Sequence, residues 1–304
     1  MTRVIITGGT GLIGRGLGLR LRERGYDVAL LSRRKNPGAE IKTFYWDPAK
    51  GEVDREAVET ADFVVHLAGA NISGKRWSKK RRKEIVDSRA ETAKLLFDKF
   101  KNTDNKLKAF ISASGANYYG VLTSEKIFAE NDSPGTGFMG ETCRLWEEAA
   151  NSFSNLGKRV AILRTGVVLS GKGGALPKML TPVKLGVGSP VGSGRQYMPW
   201  IHIEDICNLY INAIENNDVE GPYNAVAPQH VTNEYFMKTL ARVLDKPFRA
   251  PNVPGFVMKT LYGSMAEIIL RGSRLSAEKI KSTGYEFHFP ELEGALREEL
   301  LKGE

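Results

Sequence analysis

Three glycines at a spacing of three, Gly8-x-x-Gly11-x-x-Gly14, follow directly on the apolar run Val4-Ile5-Ile6. A chain that leaves a buried strand this way must turn at once, bring bare backbone to its surface and pack the next helix closely on the sheet. Glycine meets all three demands, because it tolerates unusual dihedrals and leaves no β-carbon in the way. The amides exposed at such a turn and the positive end of the helix dipole form an anion site suited to a pyrophosphate. The spacing therefore predicts a strand at Arg3–Thr7, a glycine turn and a helix from Leu12 to about Gly25, the opening unit of a dinucleotide-binding fold. Read alone, three glycines are also compatible with a purely structural turn.

The rest of the chain continues the alternation. Strands are expected at Tyr26–Leu31, Ile41–Trp46, Asp62–Leu67, Lys108–Ala113 and Arg159–Arg164, with helices over Lys79–Phe100 and around Cys143–Leu156. Strands alternating with helices imply an α/β fold, a doubly wound parallel sheet covered on both faces. Beyond residue 170 the texture changes to Gly- and Pro-rich loops over Gly171–Gly194, and from about Thr232 it becomes mainly helical. At about 150 residues per domain, 304 residues accommodate a core and a smaller lobe. The expected division is a core over 1–170 with 200–227 returning to it, and a small C-terminal substrate lobe from 171–199 and 228–304.

Composition narrows the function classes. With 41% hydrophobic and 26% charged residues the chain sits at the globular average, which excludes a disordered or coiled-coil rod reading. Cys143 and Cys207 are its only cysteines, too few for a disulfide framework or a cysteine-rich metal site. The most apolar stretch, Val253–Leu270, is interrupted by Pro254, Lys259 and Glu267, so no membrane span is expected. The first apolar run starts too near the initiator for a secretory leader, and a cytoplasmic protein is expected. The net charge of +9 is concentrated between Lys75 and Lys83. That run reads as a solvated helix face or as help for an anionic ligand. No nucleic-acid module accompanies it, and no nucleic-acid partner is expected.

The end of the second strand separates the two nicotinamide dinucleotides. An acidic residue there would accept from the ribose 2′-hydroxyl and repel a 2′-phosphate. This chain has Ser32-Arg33-Arg34-Lys35 instead. A hydroxyl and three cations suit the phosphate, with Arg33 able to give planar charge-assisted bonds, so NADP(H) is the expected cofactor. The plainer alternative is a basic surface turn before Pro37.

Thr7–Gly14, His66-Leu-Ala-Gly69 and Tyr119-Gly120 resemble the extended short-chain dehydrogenases/reductases. Asn71-Ile72, Arg76-Trp77, Ser88-Arg89, Trp146-Glu147, Arg164–Leu169, Gly173–Ala175, Pro199–Ile203 and Gly284–Phe287 are similar to an atypical, epimerase-like branch of them, the SDR39U1-like family with its characteristic C-terminal domain. The resemblance runs almost end to end. It implies a Rossmann-type core with a small, mainly helical C-terminal lobe closing over the nicotinamide end. It also implies cofactor contacts from Gly8, Thr10, Gly11, Leu12, Ile13, Gly14, Ser32, Arg33, Leu67, Ala68, Gly69, Glu84, Arg89 and Val168. Extended relatives commonly dimerise through a four-helix contact, which makes a homodimer through the helices near Lys79–Phe100 and Cys143–Leu156 an expectation.

Typical members of that superfamily use a serine or threonine to orient substrate, a tyrosine as acid/base and a lysine four residues later. None of the ten tyrosines here has a lysine four residues on. Aligned on Glu147, the tyrosine position holds Met139 and the lysine position Cys143, and methionine carries no proton to transfer. Ser114 fits the serine position. Carbonyl reduction needs a proton as well as a hydride, so a replacement acid is sought among Tyr118, Tyr119, Cys143 and His202. Ser114, Tyr118 and His202 are the catalytic candidates. Packing is the alternative for Tyr118, and a structural role for His202. His202 with Asp205 lacks the clustered ligands of a metal site, and no metal is expected. Gly171–Ala175 and Gly186–Gly194 read either as a lid or as fitted loops, while Gln196, Trp200 and Trp77 are expected near a pocket. Two functions compete. One is an NADP(H)-dependent oxidoreductase or nucleotide-sugar-epimerase-like enzyme on a small polar substrate, and the other a noncatalytic NADP(H)-sensing regulator or scaffold.

Overall fold

The computed structural model describes residues 1–34 and 40–301. Lys35 and Pro37 of the expected basic tip, and the last three residues of the expected 228–304 segment, lie outside the described residues. The strands are β1 (Arg3–Thr7), β2 (Asp27–Ser32), β3 (Lys42–Asp47), β4 (Glu52–Val53), β5 (Phe63–His66), β6 (Ala109–Gly115), β7 (Ile127–Phe128), β8 (Arg159–Thr165), β9 (Val167–Leu169), β10 (Trp200–His202), β11 (Gly221–Ala225) and β12 (Arg274–Leu275). The helices are α1 (Leu12–Glu23), α2 (Arg55–Thr60), α3 (Lys79–Asp87), α4 (Ala90–Lys101), α5 (Phe138–Asn151), α6 (Leu176–Lys184), α7 (Ile203–Glu215), α8 (Asn233–Val243), α9 (Gly255–Tyr262), α10 (Glu267–Leu270), α11 (Glu278–Lys281) and α12 (Leu292–Leu301).

Eight strands form one sheet in the order β11-β8-β6-β5-β1-β2-β3-β4, parallel throughout except where β4 runs against β3. The order reverses at β1, with β2 on one side and β5 on the other, so the carboxyl ends of β1 and β5 flank the crevice where such sheets bind ligands. Successive residues of the central strands feed opposite cores. Val4, Ile6, Val65, Ile111 and Leu163 pack with α1 and α7, while Ile5, Val64, Phe110 and Ile162 pack with α2, α4 and α5. This is why the strands are apolar at consecutive positions rather than alternating.

A third cluster lies apart from the sheet. It joins Leu169, Leu176, Leu180, Val183 and Trp200 to Phe236 and Leu240 of α8 and to Leu292 and Leu296 of α12. The helix α6 inside the Gly/Pro-rich stretch was not expected. Pro177 falls in its first turn, where a missing N–H costs nothing. The helix expected over Lys79–Phe100 is two, broken at Ser88–Arg89. Ser88 Oγ accepts the Ala70 amide at 2.8 Å, which ties the break to the neighbouring loop, and Thr92 Oγ1 lies 2.9 Å from the Ser88 and Arg89 carbonyls and competes for them locally.

Candidate functional site

The glycine turn has the shape its spacing implies. Gly8 takes φ +68°, and a β-carbon there would lie 2.8 Å from the Leu67 carbonyl group. A β-carbon on Gly14 would lie 2.6 Å from both Gly8 O and Gly9 Cα. The Gly11 amide closes the turn on Gly8 O at 2.9 Å, and α1 then begins with neither a side-chain cap nor an acidic residue in its first turn. Its leading amides are left for an outside acceptor, so the turn fits a dinucleotide's pyrophosphate.

The loop after β5 is held against this turn by Thr7. Its Oγ1 accepts the amides of Leu67 and Ala68, each at 3.1 Å, which sends its own proton to His66 Nδ1 at 2.9 Å. His66 Nε2 therefore carries the ring proton and donates to the Arg89 carbonyl at 3.3 Å. Burial pushes the pKa of this imidazole down to about 4, so it stays neutral. The expected contact residues Gly8, Thr10, Gly11, Leu12, Ile13, Gly14, Leu67, Ala68 and Gly69 thus lie on two facing segments.

Ser32 ends β2, and its Oγ accepts the Arg34 amide at 3.2 Å. Arg33 is exposed and its side chain has no partner among the described residues. Arg89 is buried beneath Gly69, where it donates to the carbonyls of Ile85 and Ala70 and lies 5.1 Å over the Trp146 ring. Burial lowers its pKa to about 10. Glu84 is exposed and paired with Arg81 at 2.6 Å. Val168 lies on β9, where it pairs with Ile201 of β10. Much of the basic run is likewise engaged. Arg76 binds the carbonyls of Thr260 and Leu261, Arg81 that of Asn71, and Lys83 pairs with Asp87.

Ser114, at the end of β6, donates to Glu147 Oε1 at 2.7 Å. Arg164 grips the same carboxylate with two bonds of 2.9 and 2.8 Å, and extends to Tyr119 Oη at 2.8 Å and the Glu130 carbonyl at 3.1 Å. Burial works against the Arg164 charge, but Glu147 and Tyr119 outweigh it and raise its pKa. Tyr119 in turn donates to Asn224 at 2.7 Å, and burial pushes its phenol up to about 12. Tyr118 is half-buried, with its ring 3.4 Å from the Arg164 guanidinium carbon and its pKa raised by burial. Met139 and Cys143 are buried on α5. Burial, with Glu147 nearby, pushes the Cys143 thiol up to about 11, so it is no nucleophile.

His202 stands apart from this group. Its Nδ1 accepts the Glu204 amide at 3.2 Å as the cap of α7, and its Nε2 faces Glu299 at 3.0 Å. Asp205 accepts from Tyr285 and from the amides of His288 and Phe289. Among the described residues no three metal-ligating side chains cluster. Gln196, Trp200 and Trp77 are buried and bonded to backbone carbonyls rather than lining an open pocket. Sequence reasoning used Glu147 as an alignment mark but gave it no role, although it is the centre of the network. The signal available was a charged residue on the apolar face of an amphipathic helix, one turn after Cys143.

Known proteins match along the chain. Residues 4–226 fit the model of the NAD dependent epimerase/dehydratase family, and residues 253–299 fit a domain of unknown function, DUF1731. The Homo sapiens epimerase family protein SDR39U1 is 37% identical over 302 residues, 97% of this chain and 99% of its own length. A crystal structure of human SDR39U1 with NADPH superposes with a TM-score of 0.87 at 35% identity, covering 98% of this chain and 99% of that one. The nucleoside-diphosphate sugar epimerase of Corynebacterium glutamicum gives 0.80 at 32%, with 98% of this chain covered and 58% of that one. The Rossmann-type fold, the glycine cradle and these matches agree: the chain belongs to the NAD dependent epimerase/dehydratase family, in its SDR39U1 branch.

Proposed function

We propose that this chain binds NADP(H) across the β1/β5 crevice and acts as an oxidoreductase or epimerase-like enzyme on a small polar substrate. One observation carries the cofactor reading: the Gly8–Gly14 turn leaves space only for backbone and presents uncapped amides, and NADPH is bound by the human relative of the same branch. When bound, the nicotinamide gives or takes a hydride. The amides of Thr10 and of Leu12 to Gly14 hold the pyrophosphate, with Gly11 closing the turn beneath it, Ser32 and Arg33 receive the 2′-phosphate, and Leu67, Ala68 and Gly69 wall the crevice with Val168 opposite. Arg89 acts from beneath as a positioning residue for Gly69, and Glu84, paired with Arg81, bears on the cofactor only through that arginine.

In this reading Tyr118 supplies the proton. It is the half-buried phenol next to Arg164, whereas Tyr119 has committed its proton to Asn224 and His202 is held elsewhere. Ser114 orients substrate through its lone pairs, since its proton goes to Glu147. The core over 1–170 and 200–227 binds the cofactor, and 171–199 with 228–304 forms the substrate lobe. We place the protein in the cytoplasm, where its two buried thiols stay reduced. Among the described residues no helix is long and apolar enough to cross a membrane. A homodimer would use the outer faces of α4 and α5, where Phe97 and Leu145 are half-buried.

The test is a screen of carbonyls, alcohols and sugar nucleotides, following the redox state of the cofactor. At least one class should turn over, and Tyr118→Phe should slow it by about 10²–10⁴-fold without weakening NADPH binding. The commitment of the Ser114 proton to Glu147 favours a second reading, a noncatalytic NADP(H)-sensing regulator. That reading stands if NADPH binds but its redox state never changes in the screen.

A further inference from the structure

His202 caps α7 through Nδ1, so its ring proton must be on Nε2, and that nitrogen lies 3.0 Å from Glu299 Oε1 of α12. The other oxygen, Oε2, accepts the backbone N–H of Gly171 at 2.6 Å. Gly171 opens the segment Gly171–Gly174, and the far end of that segment rests on the first residue of α1. A β-carbon on Gly173 would lie 3.5 Å from Leu12 Cδ1, and one on Gly174, which takes φ +78°, would lie 3.3 Å from Leu12 Cδ2. One carboxylate on the C-terminal helix thus fixes a glycine-rich segment lying against Leu12, the residue of the dinucleotide turn that opens α1.

We propose that Glu299 is a positioning residue that latches Gly171–Gly174 as a strap across the start of α1, and so sets how fast a bound dinucleotide leaves. The inference rests on the NADP(H) reading above. The strap's three glycines have no side chains to anchor it; upstream it is held by the Gly171 amide on Glu299 and by the buried Ser170, whose hydroxyl bonds the same carboxylate and accepts the Lys172 amide at 3.2 Å, and downstream it is fixed by the buried Leu176 of α6. Glutamine cannot replace the latch. Oε1 lies against the protonated His202 nitrogen and Oε2 against the Gly171 N–H, with the Ser170 hydroxyl a third group on the carboxylate, so whichever oxygen becomes NH₂ is set against a donor.

The experiment measures NADPH dissociation by stopped-flow displacement, together with hydrogen exchange of residues 170–175 in the free protein, for the parent, Glu299→Gln and Glu299→Ala. The expected result is dissociation faster by about tenfold or more in both variants, an association rate changed less than twofold, and faster exchange across 170–175. A merely structural Glu299 would lower the melting temperature and leave the dissociation rate where it was, and that overturns the strap. If the parent fails to bind NADPH, the cofactor reading fails and takes the strap's role with it. The exchange data still report in that case whether Glu299 restrains the segment. If Glu299→Ala unfolds the C-terminal helix, the comparison rests on Glu299→Gln, which keeps the shape of the side chain.

Discussion

Glu147 and Arg164 are buried, with side chains 6% and 2% exposed, and their two bonds of 2.9 and 2.8 Å are the centre of the polar network beside the site. Glu147→Leu removes the one carboxylate that Arg164 contacts among the described residues and leaves a guanidinium out of reach of water. The Tyr119 hydroxyl and the Glu130 carbonyl still accept from it, but neither carries a compensating charge. Breaking a buried pair from one side costs about 3–5 kcal/mol. Arg164→Met should fall in the same range, because among the described residues Ser114 is then the one donor left to Glu147. Replacing both with apolar residues of similar volume removes both desolvation penalties, so Glu147→Leu with Arg164→Met should cost less than the two single changes together. The coupling energy should reach about 2 kcal/mol or more. Urea unfolding followed by fluorescence and circular dichroism, with coincident transitions, gives the four free energies of the cycle. Single-variant costs below about 1 kcal/mol, combining additively, would show that the pair is solvated and that the network does not hold Tyr118 in place.

The His66 pKa is held near 4 in the folded chain against an ordinary 6.5, so the unfolded chain binds more protons between those values. Stability must then fall as pH drops from about 6.5 to 4, by roughly 3 kcal/mol at one unit per 1.36 kcal/mol, and His66→Gln should flatten that part of the stability–pH curve. A curve with the same slope in parent and variant would contradict the assignment. Gly14→Ala pushes a methyl to 2.6 Å from backbone atoms that cannot move aside, and should cost about 1–3 kcal/mol and abolish NADPH binding, checked by thermal unfolding and titration. A variant that still binds would mean that the turn is not the cofactor cradle.

Much of the architecture was legible because the glycine turn and the doubly apolar strands express sheet topology in local sequence. β1, β2, β3, β5, β6 and β8 lie where the apolar runs place them, give or take a residue or two. The break at Ser88–Arg89 was not legible, because it depends on Ala70 and His66, some twenty residues upstream. The short strands β7, β9 and β12 were missed for the same reason. Each is two or three residues long and exists only by pairing with a distant partner, as Arg274 does with Ile127. At the site, Ser114, Tyr118 and Cys143 could be singled out from motif positions. Glu147 could not be ranked above other carboxylates until the fold set Arg164 against it. His202 lies in a conspicuous motif, yet its partner Glu299 is almost a hundred residues away.

The claim most exposed to refutation is that the turn and the tip of β2 together select NADP(H). Titration of the parent and of Arg33→Ala with NADPH and NADH, read by nicotinamide fluorescence, tests it directly. The parent should bind NADPH in preference to NADH. Arg33→Ala should lose about 10- to 100-fold in NADPH affinity, the value of a charge-assisted contact of roughly 1.5–3 kcal/mol, with little change toward NADH. Absence of saturable binding, or equal affinity for the two dinucleotides in both proteins, would contradict the account.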